Sequence, residues 1–374
     1  CDCQCCRQHS RAYIHHLIKS DEWLGWHLLG IHNLAFYHRL MREVRARILA
    51  GDFPAYYQQK RLDLMRSDEN HPARPPKKPR ASDSARLGDF ELHRSAQGFY
   101  SIRQTSSGEI MHSVTAPSEE ANKLYIEQAA LATRLIKRHG NADELVIWDV
   151  GLGAAANAMA AIHCFETCYT NKGDNDLRAM RLISFERDLD PLLLAARHPG
   201  CFPHLRHGAP SAILAHGNWQ HASSLLHWEL LKGDFRDFIG SAKIPGLIFY
   251  DPFSYKTDAE LWTGEVFARI FARCRAKPSE LYTYSASTAV RVALLSAGFF
   301  VAQGVAIGPK TETTIAFNRA ESVAQHPLKP KLLEQRWLAR WRRSDAQFPA
   351  TITPEERARF ATLIENHRQF VNSG

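Results

Sequence analysis

Between Leu34 and Ile48 apolar residues recur three and four positions apart: Leu34, Tyr37, Met41, Val44 and Ile48. That period lines one face of an α-helix. The helix is expected to run from about Trp26 to Ala50, with Gly51 as its stop. Upstream, Ser10 is placed to cap a shorter helix that reaches about Lys19. The pattern disappears over residues 66–88, which hold four prolines, many charges and almost nothing apolar. Such a stretch has no face to bury and reads as a linker. Over residues 89–320 short apolar runs alternate with helical patterns. Four runs stand out: Glu144-Leu-Val-Ile-Trp, Leu182-Ile-Ser-Phe, the segment near Trp228–Leu231, and Pro245-Gly-Leu-Ile-Phe-Tyr. This alternation predicts an α/β domain with a mostly parallel sheet. Residues 321–374 return to helix, with Leu332, Leu333, Trp337 and Trp341 set among arginines. Four regions are therefore expected, 1–65, 66–88, 89–320 and 321–374, with no internal repeat.

Composition sharpens this picture in three ways. Apolar residues make up 45% and charged residues 23%, enough to build a sizeable core. No apolar run approaches the ~20 residues that cross a bilayer, and no signal-peptide pattern opens the chain, so a cytoplasmic, membrane-free protein is expected. The net charge of +8 favours an anionic polymer as partner. Cys1, Cys3, Cys5 and Cys6 crowd into six residues, and the next cysteine is Cys164. Such crowding is poor disulfide geometry and good metal geometry. Cys1-x-Cys3-x-x-Cys6 places three soft ligands on one tight loop, and Zn²⁺ needs a fourth to close a tetrahedron. His9, His15, His16, His27, His32 and His38 are all near, and spacing alone does not choose among them. The chain opens on Cys1 rather than methionine, and its start is expected further upstream.

These residues carry a resemblance. Cys1-x-Cys3-x-x-Cys6, then His32 after 25 residues, then Asn33-Leu-x-Phe-Tyr-x-x-Leu-Met, resembles the C-terminal zinc segment of the tRNA-guanine transglycosylases. Ser10-Arg-Ala-Tyr and Gly51-x-Phe53 extend it, so that it covers about residues 1–55. It implies Cys1, Cys3, Cys6 and His32 as Zn²⁺ ligands, with Cys5 an extra thiol. In that family the catalytic aspartates sit on a (β/α)₈ barrel that is not part of this sequence. The resemblance thus implies a tRNA context rather than base exchange by this chain.

A second constellation begins at Asp149-Val-Gly151-Leu-Gly153, which follows an apolar strand and opens a helix. Gly151 and Gly153 let a ligand approach the backbone at a helix N-terminus. Asp149 is placed to meet the cationic amino-acid end of S-adenosylmethionine. Glu186 ends the second run and suits paired ribose hydroxyls; the alternative is a solvated loop residue. Gly233-Asp234 ends the third, where Asp234 can accept from an adenine amine or else cap the next helix. The fourth ends in Asp251-Pro252-Phe253, where Asp251 is either catalytic or a turn residue. Carboxylates at the carboxyl ends of successive parallel strands face one crevice. A phosphate-gripping Lys-Ser/Thr is absent after the glycines, which excludes a P-loop.

Several further stretches fit one methyltransferase family: Gly108-Glu-Ile-Met-His-Ser, Glu119-Glu-Ala, Leu124-Tyr-Ile-Glu-Gln, and Asp251-x-Phe253 followed by Glu260-Leu-Trp-Thr263. Residues 90–320 resemble the family of the bacterial enzyme that makes 5-methylaminomethyl-2-thiouridine at the tRNA wobble position. Asp251-Pro252-Phe253 stands where that family usually has Asp-Gly-Phe, which also brings it near the Asp/Asn-Pro-Pro-aromatic loop of amino-group methyltransferases. The resemblance implies a Rossmann-like class I methyltransferase fold, S-adenosylmethionine as cofactor and tRNA, through its anticodon loop, as partner. It implies N-methylation of the aminomethyl group of a modified wobble uridine. Asp251 at the crevice mouth would orient the amine and take up its proton, and Phe253 or Tyr250 would stack on the uracil. Two other readings are a non-catalytic tRNA-binding module and a piece of a transglycosylase-related, queuosine-pathway enzyme.

Overall fold

The Ser10 hydroxyl accepts the Tyr13 N–H at 3.2 Å and opens a helix where a capping side chain is expected to. In the computed structural model this is α2 (Arg11–Lys19). It follows α1 (Gln4–Gln8), whose N-terminus is capped by the Cys3 sulfur. Next come α3 (Trp23–Ala50), three residues longer at its start than the sequence indicates, and α4 (Phe53–Met65). Gly51 ends α3 at φ +73°, a left-handed conformation that glycine adopts without Cβ strain. Glu43 accepts from the Tyr56 hydroxyl at 2.7 Å and from Lys60 Nζ at 3.0 Å, which ties α4 to α3. The core here is small and centres on Cys3, Cys5, Leu17 and Leu28. Most of the apolar stripe of α3 stays outside it: Leu34, Tyr37, Met41 and Ile48 are exposed.

The structure describes residues 1–20, 22–65, 85–112, 114–137, 143–308, 311–344, 347–349 and 352–371. Two units divide it, residues 1–80 and 81–374. Most of the expected linker, with Lys77, Lys78 and Arg80, lies outside the described residues. Its last residues are already structured, because β1 (Arg86–Leu87) pairs antiparallel with β2 (Phe90–Arg94), which pairs with β3 (Tyr100–Gln104).

The rest of the second unit is built on an eight-stranded sheet. In chain order come α5 (Pro117–Ala121), a π-helical turn over Asn122–Glu127, α6 (Leu131–Leu135), β4 (Leu145–Val150), α7 (Ala156–Lys172) and β5 (Met180–Glu186). Then follow α8 (Asp190–Ala196), α9 (Gly208–His216), β6 (Asn218–Gln220), β7 (Leu226–Lys232), α10 (Phe235–Phe238) and β8 (Leu247–Tyr250). The chain continues with α11 (Gly264–Arg273), β9 (Glu280–Thr283), α12 (Thr288–Ala297), β10 (Phe300–Gly304) and β11 (Thr313–Phe317). It ends with α13 (Ala320–Gln325), α14 (Gln335–Arg342), α15 (Pro354–Glu365) and α16 (Arg368–Val371). The strand order is β10-β11-β9-β8-β4-β5-β7-β6, parallel from β9 to β7 and antiparallel at both margins.

All six residues of β4 are buried, as a central parallel strand covered on both faces requires. Side chains alternate across it: Leu145 and Ile147 join one apolar layer, Val146, Trp148 and Val150 the other. The first layer packs under α6 and α7; the second takes α11, α12 and the C-terminal helices. Trp337, Leu338 and Trp341 of α14 and Phe370 of α16 are buried there, so the C-terminal residues share this core. Leu332 and Leu333 precede α14 in extended backbone. The Leu333 N–H donates to the Val301 carbonyl of β10 at 2.9 Å, and Leu332 bridges Ala302. Among the described residues no helix is long and apolar enough to cross a membrane.

Candidate active site and metal centre

The strands β4, β5, β7 and β8 end on the same side, and their carboxyl ends open into one cavity of about 790 Å³. Gly151 and Gly153 form its floor, at φ +88° and +51°. A Cβ on Gly151 would fall 2.6 Å from the Asp251 carbonyl, so only glycine fits that turn. Glu186 lines the cavity from β5. Its Oε2 accepts the Gly153 N–H and its Oε1 the Asp188 N–H, both at 3.1 Å, and burial raises its pKa. Asp234 lines it from the end of β7. It caps α10 by accepting the Arg236 N–H at 2.9 Å and also pairs with the Arg236 guanidinium, which holds its carboxyl below the usual range. Of the two readings weighed for Asp234, the cap is observed, and the same residue also lines the cavity.

Asp149 differs from expectation. It is fully buried and is not among the residues lining the cavity. Its Oδ2 accepts the Ser184 hydroxyl at 2.7 Å, and Ser184 accepts the Trp228 indole N–H at 2.9 Å. Its Oδ1 has no hydrogen-bond partner among the described residues. Burial pushes its pKa up to about 7 against the Ser184 hydrogen bond, with Asp251 and Glu186 adding to the rise. The side chain is turned into the core because β4 is covered on both faces, and its hydrogen bond ties β4 to β5.

The other half of the cavity is walled by the segment after β3 and by α5. Asp251 lines this half and is half-buried; its Oδ2 accepts from Asn157 Nδ2 at 2.7 Å. Burial raises its pKa to about 6, while His112, Asn157 and the Tyr125 hydroxyl favour its charged form. His112 Nδ1 and Glu120 Oε2 lie 3.2 Å apart, both on the cavity wall. Burial opposes the charge on His112, but Glu120 and Asp251 prevail and raise its pKa. Glu109 accepts the Ser254 N–H at 2.8 Å, the Ser254 hydroxyl at 2.9 Å and the Thr257 hydroxyl, which holds the loop after β8.

Phe253 lines the cavity and stacks on Phe90 of β2, ring centres 6.5 Å apart. Its carbonyl accepts the Trp262 indole N–H at 2.7 Å, and the Pro252 carbonyl accepts the Tyr284 hydroxyl at 3.1 Å. Tyr250, offered as an alternative stacking ring, is fully buried against Trp262, Phe235 and Phe267 and has no face for a base. His112, Glu120, Glu109, Asn157 and Tyr284 had no role assigned from the sequence. The first three lie in the stretches Gly108–Ser113 and Glu119–Ala121 that carried the resemblance, and that was the available signal.

In the first unit the ligand atoms of Cys1, Cys3, Cys6 and His32 all lie within 4.8 Å of one another. His32 Nδ1 is 3.6 Å from the Cys3 sulfur and 3.2 Å from that of Cys6. The Cys6 N–H donated to Cys3 lowers that thiol's pKa to about 7. Three sulfurs and one imidazole nitrogen fit a closed tetrahedral Zn²⁺ site. Cys5 instead turns into the small core.

Residues 204–319 match the family described as S-adenosyl-L-methionine-dependent methyltransferase. The second unit thus holds a stretch similar to that family. It shares its fold with the crystal structure of MNMC2 from Aquifex aeolicus at a TM-score of 0.54 and 24% identity, over 75% of this chain and 84% of that one. Residues 1–65 match the family described as Queuine tRNA-ribosyltransferase. The Queuine tRNA-ribosyltransferase of Symbiobacterium thermophilum is 59% identical over 56 residues, which are 15% of this chain and 14% of that protein. That of Methylacidiphilum infernorum is 51% identical over 65 residues, 17% of each. This chain thus spans less than a fifth of the curated relatives it matches. Both resemblances seen in the sequence stand. S-adenosylmethionine is the cofactor of the second unit and Zn²⁺ that of the first.

Proposed function

We propose that this protein is an N-methyltransferase acting on the aminomethyl group of a modified wobble uridine in the anticodon loop of tRNA. The observation that carries this reading is Asp251, a cavity-lining carboxylate two residues from an aromatic cavity wall and next to the glycine turn. S-adenosylmethionine supplies an electrophilic methyl group on its sulfonium.

The chain's own residues provide placement and proton handling. Gly151 and Gly153 admit the cofactor close to the backbone, and Glu186 and Asp234 receive its ribose hydroxyls and adenine amine. Asp149 acts from within the core, tying β4 to β5 through Ser184 just before the glycine turn. Phe253 offers a ring face to the extruded uracil, already braced by Phe90. Asp251 orients the amine along the line of displacement, where positioning supplies much of the rate. It also draws the ammonium proton, since only a neutral amine has a lone pair to attack. Cys1, Cys3, Cys6 and His32 hold the zinc, a structural role for a closed four-ligand site. A cytoplasmic protein that meets tRNA fits this reading, and the net charge of +8 supports it.

The test is incubation of the purified protein with S-adenosylmethionine and tRNA carrying an aminomethyl wobble uridine, followed by mass spectrometry of the nucleosides. A gain of one methyl on that nucleoside is expected. Cofactor binding without any methylated nucleoside would refute the reading.

A further inference from the structure

His112, Glu120 and Asp251 come from three separate elements and line the same cavity, His112 Nδ1 and Glu120 Oε2 lying 3.2 Å apart. His112 belongs to the segment after β3, Glu120 to α5 and Asp251 to the end of β8. The arrangement is held from several sides. The His112 N–H donates to the buried Ser101 hydroxyl at 3.0 Å, and the Met111 N–H to the Ile102 carbonyl at 3.0 Å. Glu109, three residues earlier, grips the loop that follows Asp251. Asn157 fixes the Asp251 carboxylate from α7. The π-helical turn at Asn122–Glu127 brings Tyr125, fully buried, toward the same carboxylate. Single π-turns recur at functional sites because they re-aim one side chain out of helical register.

We propose that His112, oriented by Glu120, is the onward proton acceptor for Asp251: the proton that leaves the substrate ammonium passes to Asp251 and from there across the shared cavity to the His112 imidazole. This rests on the methylation proposed above and deepens it, since it makes the acceptor an amine that arrives protonated. In the balanced step the ammonium gives one proton to the relay. The freed nitrogen lone pair then forms the N–C bond as the C–S bond breaks, and that electron pair stays on sulfur. The product is a secondary ammonium and a neutral thioether, and the relayed proton leaves from imidazolium to solvent. Glu120 fixes the ring through Nδ1, so Nε2 is the position that takes up and releases the proton. The titratable groups facing His112 are Glu120 and Asp251, which favour its cation, and His204, which opposes it.

His112→Asn tests the relay, because asparagine can keep the hydrogen bond to Glu120 while removing Nε2. At pH 7 kcat should fall about 100-fold, within the usual range for a lost acid–base group. KM values for S-adenosylmethionine and tRNA should stay within about two-fold. The defect should shrink toward high pH, where the amine arrives neutral and needs no relay. A defect equal at every pH, or one confined to KM, would overturn the inference. NMR titration of the His112 ring in the wild type, Glu120→Gln and Asp251→Asn gives a reading independent of turnover. Its midpoint should fall in both variants; an unmoved midpoint overturns the relay. Failure of the wild type to methylate the tRNA strikes the proposed function instead, and the NMR titration still decides the pair.

Discussion

Asn157 Nδ2 donates to Asp251 Oδ2 across 2.7 Å and so joins the first turn of α7 to the end of β8. The bond favours the charged form of a carboxylate that burial otherwise pushes up to about 6. Asn157→Ala should raise that pKa further. Asp251 must be ionised to take a proton, so activity is lost as pH falls through its pKa. The variant's acid limb should therefore move to higher pH, with a loss of roughly 3- to 10-fold at pH 6.5 that recovers by pH 8.5. A pH–rate profile checks this.

The buried Asp149 makes a prediction about stability. Its folded pKa of about 7 lies above the ~3.9 of an unfolded aspartate. The unfolded state therefore ionises first, and stability falls as pH rises from about 4 to 7. Asp149→Asn can still accept from Ser184 and removes this term. Its melting temperature should match the wild type near pH 4 and exceed it at pH 8, by an amount equivalent to about 2–4 kcal/mol. Paired thermal melts at the two pH values decide it.

Cofactor binding should be sensitive at both ends of the glycine turn. Gly151→Ala places a methyl 2.6 Å from the Asp251 carbonyl at φ +88° and should abolish measurable affinity. Glu186→Ala should weaken S-adenosylmethionine by about 10- to 150-fold, the usual effect of losing a hydrogen-bonded carboxylate. Titration calorimetry on the intact chain reads both.

The zinc site should separate the two units. Elemental analysis is expected to find one zinc per chain, and His32→Ala or Cys6→Ser should lose it and unfold the first four helices. S-adenosylmethionine binding should persist, because the second unit has its own core. Cys5→Ser should retain zinc and lose stability only, since Cys5 is buried outside the ligand cluster.

On α14 the aromatic face is buried while Arg336, Arg340, Arg342 and Arg343 remain at the surface. Charge reversal at Arg340 and Arg343 should weaken tRNA binding and lower its salt slope by roughly 0.7–0.9 per lost phosphate contact. Cofactor affinity should not change, because neither residue lines the cavity. Filter binding across a salt series provides the measurement.

What the sequence determined by itself is the chemistry that acts over short spans or along a single strand. Ser10 caps the helix that begins beside it, Gly51 ends the helix before it, and Gly151 and Gly153 turn the chain directly after an apolar strand. Cys1, Cys3 and Cys6 lie within six residues at the start of α1, so their cluster is nearly local, and His32 joins them from the long helix α3. Parallel strands set Glu186, Asp234 and Asp251 at one edge because every such strand ends on the same side.

Burial and long-range meeting were decided only by the tertiary structure. Asp149 reads as a ligand residue from its place in the strand, yet the cover on both faces of β4 buries it against Ser184. Leu332 and Leu333 continue a helical spacing, but the open backbone of β10 offers them hydrogen bonds, and they pair with it instead. His112 and Glu120 share a cavity with Asp251 from more than 130 positions away in the chain, and Asn157 bonds it from 94. No periodicity encodes such a distance. It exists only once the sheet has stacked its strand ends and packed the preceding segment across them.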